Sequence, residues 1–230
     1  MSGIKIYKCN EEFFNQNCQD SFYWAGFIAA DGSVQERKYS KILKISLSNK
    51  DIYHLEKFKK SINSNHIIKN YKIKPNNLVK SESLSCEIQI TSKIMVDSLK
   101  RFNIVPNKTK TYFIPEPIVN SPYISDYMRG YFDGDGCITY CGLANNRAIK
   151  QLSFSILGTE KFIEQYNDIL AKNCKINQAK ITKHYSVYKI SYSGNNVVEK
   201  IYLFLYKNNN VCLDRKKYIF ENNYTVTDAL

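Results

Sequence analysis

A chain of 230 residues can form one large domain or two of about 100 residues each. With 43% hydrophobic and 23% charged residues it can bury a sizeable core, which excludes a disordered tail, and no run of about 18 apolar residues exists to cross a membrane. Against 21 Asp and Glu stand 33 Lys and Arg, a formal charge of +12 accompanied by 18 tyrosines, a balance suited to a polyanionic partner.

The first element is a helix on Ser21-Phe-Tyr-Trp-Ala-Gly-Phe-Ile-Ala-Ala-Asp-Gly32. Strands follow at Val34–Tyr39 and Lys41–Leu47, where Lys44, Ser46 and Ser48 alternate with Ile45 and Leu47, the period of a strand with one wet face. Asn49-Lys50-Asp51 opens a helix that runs to about Ile62, with Ile52, Leu55, Phe58 and Lys59 at helical spacing. Two more strands fit Ile67–Ile73 and Leu84–Thr91, around a Pro75-Asn-Asn77 loop, and a helix from Ser92 to Phe102 closes the unit.

Residues 105–121 form a linker stiffened by prolines 106, 115 and 117, which keep it out of helices and central strands. Ser121-Pro122 then reads as a helix start, Ser as N-cap and Pro in the first turn. The order repeats from there: a helix on Ser125-Asp-Tyr-Met-Arg-Gly-Tyr-Phe-Asp-Gly-Asp-Gly136 and strands at Cys137–Cys141 and Ile149–Ile156. A helix from Thr159-Glu160, strands at Asn177–Ile181 and Ser186–Tyr192, and a helix over Asn195–Tyr206 follow, with a further helix from Leu213 to about Tyr224.

The two halves echo each other about 104 residues apart, Gly26 matching Gly130 and Asp31 matching Asp135 in the shared core Gly-aromatic-x-x-x-Asp-Gly. This predicts an α+β fold of two pseudo-symmetric αββαββα subdomains, 1–104 and 122–230, packed on each other across the linker. Small residues four apart (Gly26 with Ala30, Gly130 with Gly134, beside Ala25) let two helix backbones approach closely. Glycine inside a helix costs about 1 kcal/mol relative to alanine, and tight contact between two equivalent helices offsets it. Gly32 and Gly136 stand where a left-handed helix terminator belongs.

Asp31 and Asp135 fall at helix C-termini, where the dipole disfavours negative charge. Parallel helices would also bring the two carboxylates together, which requires a cation or a shared proton between them. Hard oxygen ligands beside phosphate suit magnesium, which can activate water and neutralise a leaving oxygen. Asp133, opposite Ala29, breaks the repeat and reads as a helix cap or surface residue. His54 reads as structural or exposed, and the three histidines are too dispersed for a metal cluster. The seven cysteines (Cys9, Cys18, Cys86, Cys137, Cys141, Cys174, Cys212) form no C-x-x-C and no zinc set. Mostly buried, reduced thiols in a soluble intracellular protein of unspecified compartment are expected, and the start Met1-Ser2-Gly3-Ile4-Lys5 lacks a secretory apolar stretch.

Trp24-Ala-Gly-Phe-Ile-Ala-Ala-Asp-Gly32 and Met128-Arg-Gly-Tyr-Phe-Asp-Gly-Asp-Gly136 resemble two copies of the motif of the LAGLIDADG homing endonucleases, and the element order extends the resemblance over nearly the whole chain. The first copy departs at Ala29, where many members carry an acid, and aromatics replace several leucines. The resemblance implies a monomer whose motif helices form the interface and whose antiparallel strands make a saddle over a long, asymmetric DNA site. It implies Mg²⁺, with Mn²⁺ able to substitute, held by Asp31 and Asp135, and double-strand cleavage leaving short 3′ overhangs. A basic residue near the metal–water network of each half best matches Lys108 and Lys216, with Lys110, Arg215 and Lys217 as register neighbours. Neither end carries an intein junction, so a freestanding or intron-encoded enzyme is expected.

Strand residues of mixed polarity are the expected DNA contacts. In one half these are Gln35, Arg37, Tyr39, Lys44, Ser46, Lys69, Tyr71 and Gln89. In the other they are Arg147, Lys150, Gln151, Ser153, Lys180, Lys183, Tyr185 and Lys189. Arg and Gln read base edges and lysines more often meet phosphates, while a one-residue error of strand phase exchanges the faces. The net positive charge is expected to concentrate on this face. Two rivals use the same fold: an RNA-binding intron splicing cofactor, and a sequence-specific DNA-binding regulator without cleavage.

Overall fold

A computed structural model describes residues 6–74, 81–142 and 150–224. The first half runs α1 (Gln19–Asp31), β1 (Gly32–Glu36), β2 (Lys41–Ser48), α2 (Ile52–Ser61), β3 (Lys69–Ile73), β4 (Ser83–Thr91) and α3 (Lys93–Ser98). A short α4 (Glu116–Val119) sits in the connecting segment. The second half runs α5 (Ile124–Asp135), β5 (Cys137–Gly142), β6 (Lys150–Gly158), α6 (Glu160–Cys174), β7 (Thr182–His184), β8 (Val187–Ser193), α7 (Asn195–Tyr206) and α8 (Asp214–Tyr224). Each half forms a four-stranded antiparallel sheet, ordered β1-β2-β4-β3 and β5-β6-β8-β7, so the repeat in sequence is a repeat in topology.

The strands follow the predicted alternation. Val34, Leu43, Ile45, Ile88 and Ile90 face the core of one half, and Ile138, Leu152, Phe154, Ile156 and Ile190 that of the other. Both central helices are enclosed rather than amphipathic: every residue of α1 from Ser21 to Ala29 is buried, as is every residue of α5 from Asp126 to Asp133. α1 is apolar on nearly all sides of this stretch, as a helix of an interior should be, whereas α5 also encloses Asp126, Arg129 and Asp133; the two pack on each other at the middle of the molecule.

Their contact is main chain against main chain. A Cβ at Gly26 would stand 2.0 Å from the carbonyl oxygen of Tyr127, and one at Gly130 would stand 1.9 Å from that of Tyr23. A Cβ at Gly134 would meet a side-chain atom instead, the Cβ of Ala30, at 2.5 Å. The reciprocal pairs, Gly26 with Tyr127 and Gly130 with Tyr23, define a parallel, pseudo-twofold packing. Ala25 is fully buried and lies one residue off the Tyr23–Gly26–Phe27–Ala30 stripe.

Local expectations fail where a side chain outcompetes the backbone. The strand expected at Asn177–Ile181 does not form, because the Asn167 side chain accepts from the Ala179 amide (3.1 Å) and donates to its carbonyl (2.9 Å), taking the ladder positions. Ser121 is not an N-cap. Its carbonyl accepts from Ile124 and its Oγ from the Tyr123 amide, a turn that delays α5 to Ile124. Despite its prolines, the 105–121 segment makes a 3₁₀ turn at Lys108–Lys110 and one α-helical turn, with Pro117 in the first turn of α4. The expected 92–102 helix is α for six residues and then tightens into a 3₁₀ turn at Leu99–Phe102.

Gly32 and Gly136 are extended, at φ −89° and −75°, not left-handed. Each is the point where the chain leaves a helix directly for a strand. A Cβ there would strike Ile28 (2.7 Å) or the Phe132 ring (2.1 Å), so close approach is what each site requires. Among the described residues the glycine at positive φ is Gly194, φ +102°, which turns β8 into α7. All seven cysteines are free, but only Cys86, Cys174 and Cys212 are buried, and Cys137 is exposed, so the thiols are less sheltered than expected.

Candidate functional site

Asp31 and Asp135 are the last residues of α1 and α5, and the parallel packing delivers both to one end of the interface. The Asp31 carboxyl carbon lies 3.5 Å from the position a Gly134 Cβ would take, so the absent side chain makes room for it. Both carboxylates reach solvent, yet the protein around them penalises charge. Asp31 is pushed up to about 6, first by desolvation and then by the charge of Asp135. Asp135 is also raised by desolvation, while Lys216 and Lys108 pull it back down.

Lys108 and Lys216 hold main chain beneath the carboxylates. Lys108, in a 3₁₀ turn after the first half, donates to the Gly32 carbonyl at 2.7 Å. Lys216, on α8, donates to the carbonyls of Phe132 (2.6 Å), Asp133 (2.8 Å), Gly134 (3.2 Å) and Gly136 (2.6 Å). The last carbonyls of a helix have no intrahelical donor and carry the negative end of its dipole. An ammonium there supplies both hydrogen bonds and countercharge. Burial pushes Lys216 down to about 8 and Lys108 also below its usual range.

The two sides differ. Beside Lys108 a cavity of about 220 Å³ opens between Ala30, Tyr131, Asp135, Gly158 and Thr159. Beside Lys216, ion pairs join α2 and the residue before it to α8 across the halves: Arg215 to Asp51 (2.9 Å) and Lys57 to Asp214 (2.6 Å). Lys110 and Lys217 are not among the groups that hold the helix ends; Lys217 pairs with Glu221 at 3.5 Å.

Asp133 corrects a reading from sequence: it is neither a cap nor a surface residue but is fully enclosed. It accepts from Tyr206 Oη (2.5 Å), Tyr23 Oη (2.7 Å) and the Leu213 amide (2.7 Å). Desolvation raises its carboxyl above the usual range, against those donors and Lys216. Because Tyr23 donates to Asp133, its oxygen accepts from His54 Nε2 at 3.0 Å, leaving the buried Nδ1 as an unpartnered lone pair. Burial holds His54 neutral, down to about 3. His54–Tyr23–Asp133–Tyr206 is therefore one polar chain running from the first half into the second. Arg129 lies alongside, paired with Asp126 (2.7 Å), donating to the Leu205 and Val211 carbonyls and stacked over Tyr23.

The sheets turn their polar sides away from the core. Register places Ser33, Gln35, Lys44, Ser46, Lys69, Tyr71 and Gln89 on the outward side of the first sheet, together with Glu87. Arg37 and Tyr39 occupy the β1–β2 turn, Tyr39 being 88% exposed. On the second sheet Gln151, Ser153 and Lys189 are outward, next to Thr139, Ser155, Ser191 and Ser193. Lys150 and Lys183 have the opposite phase, the one-residue exchange that strand periodicity permits. Lys180 precedes β7, and Tyr185 tips the β7–β8 hairpin at φ 53°. Arg147 lies outside the described residues. Among the described strand residues the positive charge does not concentrate on these faces. Among the described residues Lys189 is the one lysine on the second, and on the first Lys44 is paired with Glu87.

Two carboxylates form a hard-oxygen donor pair, and among the described residues no group of three or more His, Cys, Asp or Glu stands ready to hold a metal. Such a pair fits an octahedral cation that keeps its waters and takes further oxygens from a phosphate substrate. No helix among the described residues is long and apolar enough to cross a membrane.

No family model matches the sequence, and no curated protein matches it. Solved structures match the fold over most of their length. One is the homing endonuclease I-WcaI bound to its DNA recognition sequence, at TM-score 0.66 and 16% identity, covering 91% of either chain. Another is the LAGLIDADG homing endonuclease I-GzeII in complex with a DNA target, at TM-score 0.60 and 12% identity, covering 90% of either chain. I-LtrWI, a LAGLIDADG homing endonuclease bound to target DNA, matches at TM-score 0.57 and 14% identity over 96% of this chain and 92% of its own. The chain therefore has the two-domain fold of the LAGLIDADG homing endonucleases.

Proposed function

We propose that this protein is a site-specific double-strand DNA endonuclease that acts as a monomer and hydrolyses one phosphodiester on each strand. The observation that carries this reading is the placement of Asp31 and Asp135 together at the ends of two parallel helices, between two outward polar sheets. A DNA-binding surface without chemistry has no use for two carboxylates where phosphates would pass.

Asp31 and Asp135 would hold Mg²⁺, or Mn²⁺ in its place, which when bound supplies an acidified water and positive charge at the scissile phosphate. The chain's own residues do the rest. Lys108 and Lys216 offset the two helix dipoles and pull both carboxylates toward the ionised form that a cation needs. Outward Gln, Ser, Thr and Lys side chains meet base edges and backbone on either side of the centre. Cleavage across the groove at two points would leave short 3′ overhangs.

The test is digestion of a randomised duplex library with Mg²⁺ and, in parallel, with Ca²⁺, followed by sequencing of the ends. Reproducible double-strand breaks with Mg²⁺, lost in Asp31→Asn and in Asp135→Asn while binding persists, are expected. Binding without breaks under any divalent cation would overturn the enzymatic reading.

A further inference from the structure

Glu87 is the one acid on the outward faces of the two sheets among the described residues. A carboxylate on a surface that meets phosphates is repelled by them, so its presence calls for a reason. Its Oε2 is engaged by Lys44 Nζ at 2.5 Å and Ser46 Oγ at 3.1 Å. Those bonds fix the carboxylate on the sheet and balance its charge. Neither occupies Oε1. Lys69, directly across the β3–β4 ladder from Glu87, adds a second positive group nearby. The result is an acceptor and a donor side by side, both partly solvent-exposed and both pointing away from the core.

Resting on the DNA-binding reading above, we infer that Glu87 and Lys44 together read one G·C base pair in the major groove. Glu87 accepts from cytosine N4, and Lys44 donates to guanine O6 and N7. The groove chemistry selects this pair over the others. Adenine also offers an exocyclic amine, but its N7 lone pair lies next to that amine and repels a carboxylate, whereas cytosine presents only a C–H there. Thymine offers one acceptor, flanked by a methyl group that crowds an ammonium, whereas guanine offers two adjacent acceptors. Reversing the pair sets the carboxylate against guanine O6.

The experiment is selection of a randomised duplex library in Ca²⁺ by the full chain, by Glu87→Gln and by Lys44→Gln, with thermal melts to show that each variant is folded. Glu87→Gln keeps the shape but gives the position a donor as well as an acceptor. The preferred site of the unmodified protein should contain a G·C pair at which Glu87→Gln loses about ten-fold of base preference. Lys44→Gln should relax the same pair, and other positions should keep their preferences. Unchanged preferences at every position in Glu87→Gln, or relaxation of different positions by the two variants, would overturn the inference while leaving DNA binding intact. If the unmodified protein enriches no sequence, the DNA-binding reading falls and this one with it.

Discussion

Gly130 faces the carbonyl of Tyr23 so closely that a methyl group on its Cα would stand 1.9 Å from the oxygen. The obstacle is main chain, which cannot rotate aside, so the two central helices would have to separate. Gly130→Ala is therefore expected to destabilise the fold by about 3 kcal/mol or more, seen as a melting temperature lowered by about 6–12 °C. Gly26→Ala should match it, because the contact is reciprocal. A variant that melts within a degree of the parent would mean that the helices are not packed this tightly.

The two helix-holding lysines should differ in their contribution to stability. Lys216 serves four carbonyls and Lys108 one. With about 1.5–3 kcal/mol for a hydrogen bond to a charged group, and strong non-additivity within one cluster, Lys216→Met should cost about 2–4 kcal/mol and Lys108→Met about 1–2. Urea denaturation monitored by circular dichroism measures both. Equal midpoints would contradict the asymmetry.

Asp31 carries a pH dependence of definite sign. Its folded-state value lies above the ordinary 3.8, at about 6, first through desolvation and then through Asp135. A carboxyl raised on folding stabilises fully below its unfolded value and loses that contribution as pH climbs through its folded value. In EDTA at pH 7.5 the ionised Asp31 is thus a burden on the fold. Discounted for its solvent exposure to about 1 kcal/mol, its removal in Asp31→Asn should raise the melting temperature by about 2–4 °C. On the endonuclease reading proposed above, cleavage should fall as pH drops below about 6, because a protonated Asp31 carboxyl would be a poor ligand for a cation. A lower melting temperature for Asp31→Asn would reverse this account.

Tyr23 and Tyr127 occupy equivalent places in the two halves but have opposite surroundings. Tyr23 Oη donates to Asp133, whereas Tyr127 Oη is buried without a partner among the described residues, because Ala29 stands where the second half has Asp133. Tyr23→Phe should cost about 1–3 kcal/mol by stripping Asp133 and His54 of a bond. Tyr127→Phe removes an unsatisfied hydroxyl and should be neutral or stabilising by about 1 kcal/mol. Paired urea titrations give the contrast directly.

The repeated Gly-aromatic-x-x-x-Asp-Gly core made the duplicated fold and the two terminal aspartates legible before any coordinates, because glycines in an enclosed helix and acids at its negative end are each costly without a local reason. Lys108 and Lys216 were legible by position but not by contact, since a lysine's reach to a carbonyl some 76 or 84 residues away leaves no local pattern. Asp133 was misread for the same reason. Its tyrosine donors lie 110 and 73 residues distant, and on one helix a fully buried acid looks like an exposed one. Glu87 is not marked in the sequence, because strand periodicity names the wet side without singling out one wet residue. The phase errors at Lys150 and Lys183 arose at the first residue of β6 and inside the three-residue β7, where alternation has too few residues to fix it.

Asp133 also restricts which halves can be combined. It spends its hydrogen bonds on one hydroxyl from the opposite half and on two donors from its own. A chimera that joins residues 122–230 to a foreign first half must bring a hydroxyl to the place of Tyr23 or leave a carboxylate oxygen buried with fewer donors. Two copies of the second half would set Asp133 opposite Tyr127 twice over, a satisfied arrangement. Two copies of the first would offer Tyr23 only Ala29 on both sides. Recombination between relatives is thus filtered at a single buried acid, well away from any base the protein would read.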